Sequence, residues 1–151
     1  MLRLSKKVDY GLIAMIHLAS RKTGASASAK EIADAHRLPA ALLAKVLQQL
    51  ARSGFLAAAQ GTNGGYRLAR DPESISVLDV IEAIDGPVFL TSCSTSPGDC
   101  ERTPGCTARR PLGKIQQDIQ QLLAETSIMQ MTAREGKRGP LVRIRASGAE
   151  V

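Results

Sequence analysis

Apolar residues recur at helical spacing near the start of the chain, where Val8, Leu12, Met15, Ile16 and Ala19 form one stripe over residues 4–20. Ser5 is placed to cap that helix, and Arg21-Lys22-Thr23-Gly24 ends it, with basic residues near its negative pole and glycine beyond. Ser28 and Glu31 have capping-box spacing and open a short helix to about Ala35. His36-Arg37-Leu38 reads as a turn. Pro39 suits the first position of the next helix, because an N–H there has no partner anyway. That helix extends to about Ser53 and stops at Gly54. Leu42, Leu43, Val46, Leu47 and Leu50 mark its buried side, while Ala41, Lys45, Gln48 and Arg52 fall on the opposite one.

The period then changes. Residues 55–60 and 66–70 read as two strands, and Gly61-Thr62-Asn63-Gly64-Gly65 between them supplies positive-φ positions for a hairpin loop. Asp71-Pro72 closes the hairpin. Ser76 and Asp79 form a second capping box, opening a helix with Val77, Val80, Ile81 and Ile84 as its stripe and Gly86-Pro87 as its end. Residues 88–107 follow no period and contain Cys93, Cys100 and Cys106. A structureless stretch of that length is uncommon unless it has a task. From Ala108 to about Glu125, Leu112, Ile115, Ile119, Leu122 and Leu123 return to helical spacing, and Ser127–Met131 adds a further turn. A helix left alone after a surface loop needs a partner for its apolar face, and a second subunit is the economical one.

The expected fold is mainly α with a small β-hairpin wing. A winged helix-turn-helix covers residues 1–86, a cysteine loop 87–107 and a dimerisation helix 108–132. A disordered tail is expected over 133–151, where Gly and Arg are frequent and periodicity is absent.

Charge sharpens this picture. The net charge is +6, and residues 1–75 alone hold eleven Lys/Arg against five Asp/Glu. Residues 76–126 are net acidic, so a polyanion-binding surface belongs to the first half. With no Trp, two Phe and two Tyr, aliphatic residues must build the core. No secretory signal and no apolar run of membrane-spanning length is found, which gives a cytoplasmic expectation. Neither a catalytic Ser/His/Asp or Cys/His set nor a phosphate-binding loop appears, so an enzyme is not expected.

Two groups of residues carry candidate chemistry. Lys45, Gln48 and Arg52 on the second helix of the helix-turn-helix can reach the phosphates or base edges of double-stranded DNA. Gly61, Asn63 and Gly64 shape the wing tip, and Arg67 and Arg70 suit phosphate contacts. A winged helix that binds protein is the competing reading, separable by salt dependence. The cysteines are spaced Cys93-x6-Cys100-x5-Cys106, wider than the close pairs of most zinc sites. The spacing leaves three readings open: an iron–sulfur cluster, zinc, or redox-active thiols. His17 lies one residue off its helical stripe and His36 falls in the turn; neither is weighted as a ligand.

Leu2–Gly11 (LRLSKKVDYG), the wing Gly61–Leu68 (GTNGGYRL), Ile75–Gly86 (ISVLDVIEAIDG) and the three-cysteine loop together resemble the IscR/NsrR-type iron–sulfur transcription regulators, especially those of SUF cluster-assembly operons. The resemblance covers about residues 1–131. It implies a homodimeric DNA-binding regulator, a repressor of SUF genes, with a [2Fe–2S] or [4Fe–4S] cluster on Cys93, Cys100 and Cys106. It also places Lys45 and the Gly61–Gly65 wing against DNA. Three features depart from the pattern. Gln60 stands where many members have Arg, Ala40, Ala41 and Ala44 line the presumed recognition helix, and Arg109 occupies the position of the IscR-type His. Asp9-Tyr10-Gly11 matches the NsrR-type motif, so Asp9 is the candidate fourth ligand, its competing role being to complement the positive end of the first helix.

Overall fold

The computed structural model describes residues 4–61, 64–90 and 105–132. Six helices and one antiparallel hairpin follow in the order α1 (Lys6–Ala19), α2 (Ala29–His36), α3 (Ala40–Arg52), β1 (Leu56–Ala59), β2 (Gly65–Leu68), α4 (Val77–Asp85), α5 (Arg109–Glu125) and α6 (Ile128–Thr132). Local chemistry sets most of the helix starts. The Ser5 hydroxyl accepts from Val8 N–H, and Ser28/Glu31 and Ser76/Asp79 both form complete capping boxes.

Two local expectations are corrected. His36 is the last residue of α2, and Arg37 is its cap, at φ 54. The reversal thus rests on a left-handed arginine, a conformation that costs a residue with a Cβ about 1–2 kcal/mol. Pro39 is the N-cap of α3 rather than its first helical residue, because its ψ of 111° is extended. The proline ring fixes φ but leaves ψ to the preceding turn.

One aliphatic core joins α1, α3 and α4. Val8, Met15, Leu43, Leu47, Leu50, Ile75 and Val80 are completely buried in it. Gly11 lies at the crossing, where a Cβ would strike Ile84 and crowd Val46, so α1 meets both partners without a side chain between them. Gln49, next to outward-facing Gln48, turns inward and donates to the carbonyls of Ala83 and Ile84 at 2.9 and 3.1 Å. That satisfies orphan acceptors at the end of α4 and locks α3 to it.

The end of the described chain returns to this core. Ser76 and Ser127 pair as an isolated bridge, with Val77 N–H donating to Thr126 O and Ile128 N–H to Ile75 O. Ile128 of α6 is fully buried. Between these points α5 is held through amides. Gln116 accepts from Leu90 N–H at 3.2 Å, and Gln120 donates to Val88 O at 3.0 Å. No residue of α5 is buried, and Leu112, Ile115 and Leu122 of its expected apolar face are exposed.

Candidate nucleic-acid interface and cysteine segment

The interface grows from α2, the Arg37 turn and α3. Burial of Leu43, Val46, Leu47 and Leu50 fixes how α3 is rotated, which leaves Ala41, Lys45, Gln48 and Arg52 exposed on the opposite face. No ion pair among the described residues neutralises Lys45 or Arg52.

The wing is held by its own two-stranded ladder and by a bridge to Ala27. β1 and β2 match Leu56 to Leu68 and Ala59 to Gly65, and Ala27 adds a short third edge. Ala27 N–H donates to Tyr66 O at 3.0 Å, and Tyr66 N–H donates to Ala27 O at 2.9 Å. This close approach needs glycine at Gly65, because a Cβ there would lie 2.7 Å from the Ala27 carbonyl oxygen. At the tip, Gly64 N–H donates to Gly61 O at 3.1 Å, and both glycines are exposed. Gly61 and Gly64 share a cleft with Ser26 and Glu31, which sets the wing tip beside the start of α2. Asn63 lies outside the described residues. Arg67 is exposed on β2, and the Arg70 guanidinium stands 5.1 Å over the Phe55 ring.

Of the presumed cluster ligands, Cys93 and Cys100 lie outside the described residues. Cys106 is exposed just before α5, with its carbonyl accepting from Arg109 N–H. Its thiol is therefore not consumed by packing and is open to a soft metal, as a thiolate ligand must be. Asp9 is exposed in the first turn of α1, and its carboxylate makes no hydrogen bond among the described residues. Among those residues, no three His, Cys, Asp or Glu side chains gather as a metal site.

The histidines, unweighted from sequence, meet. His17 Nδ1 and His36 Nε2 are 3.0 Å apart, with the rings edge to face. Burial lowers the pKa of His17, with His36 and Arg21 acting the same way and Glu31 opposing them. Hydrogen bonds from the backbone and hydroxyl of Ser28 hold the Glu31 carboxyl below its usual value. A contact between side chains nineteen residues apart has no periodic signature, so sequence spacing could not reveal it.

Among the described residues no helix is long and apolar enough to cross a membrane. The structure is similar to CymR (YrzC), the global cysteine regulator of B. subtilis, at 27% identity, covering 88% of this chain and 98% of that one with a TM-score of 0.75. It is similar to T. potens IscR at 27% identity, covering 92% and 93% of the two chains with a TM-score of 0.69. Staphylococcus aureus CymR matches at 26% identity over 85% of this chain and 96% of that chain, with a TM-score of 0.68. These neighbours are winged-helix regulators, and the hairpin beside α3 is their wing. The family described as Rrf2, iron-dependent transcriptional regulator, matches residues 4–134, and the chain belongs to that family.

Proposed function

We propose that this regulator binds operator DNA as a homodimer and that an iron–sulfur cluster on Cys93, Cys100 and Cys106 controls its affinity. The observation that carries the reading is the placement of an exposed thiol, Cys106, at the entrance of α5, whose apolar residues Leu112, Ile115 and Leu122 face outward. A group held by Cys106 thus acts next to the surface through which two copies would pair. The similarity to T. potens IscR supports the same reading. The wider resemblance favours repression of SUF assembly genes, in a cytoplasmic setting.

On DNA, α3 enters the major groove with Lys45, Gln48 and Arg52 forward, and the Gly61–Gly64 turn follows the adjacent minor groove. Arg67 adds a phosphate contact. When bound, a cluster supplies thiolate–iron bonds, with Asp9 as the candidate fourth ligand. The chain's own part is mechanical. Gln116 and Gln120 tie α5 to Leu90 and Val88, so a shift at the cysteine segment reaches the end of α4 and, through Gln49, the back of α3. Because half-sites lie about one DNA turn apart, a small rotation of the two α3 helices changes affinity strongly.

Anaerobic purification with iron and sulfide counts, followed by DNA binding of the loaded and stripped forms, tests this. The expected protein is brown, loses its visible absorbance in Cys100→Ala, and changes operator affinity on stripping. A colourless anaerobic preparation that carries zinc overturns the cluster.

A further inference from the structure

A basic concave surface lies at the base of the wing, away from its glycine tip. The end of α1, the turn after it, the end of β2 and the start of α6 enclose a cleft of about 460 Å³. That is within the roughly 300–1,000 Å³ typical of small-molecule sites. Arg21, Lys22, Arg67 and Arg70 all line it, Arg70 with its guanidinium over the Phe55 ring, and Leu68 and Met129 add apolar surface. None of the four cations is in an ion pair among the described residues. The single carboxylate on the rim, Asp71, is turned to its own backbone and accepts from Glu73 N–H at 2.9 Å. Four basic residues against one carboxylate leave the cleft net positive.

We propose that this cleft binds a compact small-molecule polyanion bearing carboxylate or phosphate groups. Arginine recognises both groups bidentately, and the concave apolar wall lowers the local dielectric and strengthens the pairing. The site joins two parts of the regulator. Arg67 belongs to the wing strand, and Met129 belongs to α6, whose N–H donates to Pro72 O at 3.2 Å and which follows α5 directly. A bound polyanion bridges the wing to the end of the helix that we read as the dimer contact. Only this consequence rests on the proposed function; binding itself does not.

The test is calorimetric titration of the full chain with succinate and with inorganic pyrophosphate, at ionic strength held constant with potassium chloride. Expected is saturable binding of at least one of them, with one site per chain. Arg21→Gln and Lys22→Gln, both at exposed positions, should each weaken it by about tenfold, as loss of a charge-assisted contact does. No saturable binding of either probe, or binding indifferent to both substitutions, overturns the site. The same variants are titrated with a mixed-sequence duplex to separate a small anion from DNA phosphate. Unchanged duplex affinity and salt slope support the proposal. A salt slope lowered by about one per substitution instead assigns these cations to DNA and overturns it. A wild-type chain that binds pyrophosphate but no duplex would sink the DNA-reading proposal and leave this one standing.

Discussion

His17 and His36 show how much one contact can carry at the residue scale. His17 Nε2 is buried without a partner, so an N–H placed there would have no acceptor. The favourable arrangement has His17 Nδ1–H donating to His36 Nε2. A second proton on His17 would fall on Nε2 and leave a buried N–H with no acceptor. On His17 it also sets a cation beside His36 and Arg21, with Glu31 the one opposing charge. The folded-state pKa of His17 is therefore depressed, and the unfolded chain binds the extra proton first. Stability is expected to be full above the ordinary value of 6.5 and to fall as pH drops below it towards the folded value. Thermal melts across this range check the sign, and His17→Phe should flatten the slope. Gly65 makes a second prediction. Gly65→Ala drives a methyl into the Ala27 carbonyl, and overpacking of this kind costs about 1–3 kcal/mol. Denaturant melts measure that cost, and loss of protection at the Tyr66 amide would localise it.

Elements were legible wherever their determinants are local. Ser28/Glu31, Ser76/Asp79 and Ser5 sit within one turn of the groups they cap, so sequence reading reached the starts of α2, α4 and α1. The outward face of α3 was equally legible, because a buried leucine stripe dictates what lies opposite. Features that depend on chain reversal stayed hidden. Gln49 looks like another polar residue of α3 until the end of α4 is brought beside it. Arg67 alternates along its strand as expected, but nothing local says that Arg21 and Lys22 share its cleft. The cysteine segment was conspicuous by spacing, although two of its thiols lie outside the described residues. For α5 the prediction concerns assembly. Ile115 is 48% exposed on a helix with no buried residue. Ile115→Glu should turn a dimer into a monomer in light scattering while the melting temperature of the monomeric core changes little.

At the scale of the whole molecule the charge is divided between functions. The basic first half carries Lys45 and Arg52 on the exposed face of α3, the face proposed to meet DNA, and the stretch over 76–126 is net acidic. Each phosphate contact releases counterions, so Lys45→Ala and Arg52→Ala should each lower the slope of log affinity against log salt by about 0.9. Titrations at several salt concentrations measure this, and unchanged slopes would place both side chains off the duplex. Gln48→Ala should leave the slope unaltered, since an uncharged side chain displaces no counterion.

The return of α6 has a consequence for how the polypeptide can be divided. Ile128 is fully buried in the core built by the front half, and the Ser76–Ser127 bridge stitches its entrance. Cutting after Gly86 would remove that side chain from the core, a defect on the scale of a large-to-small core substitution, about 2–5 kcal/mol. The front half is thus not a detachable module: the stretch that follows α5 is also its keystone. Any event that unseats the last turn is felt in the core on which α3 rests.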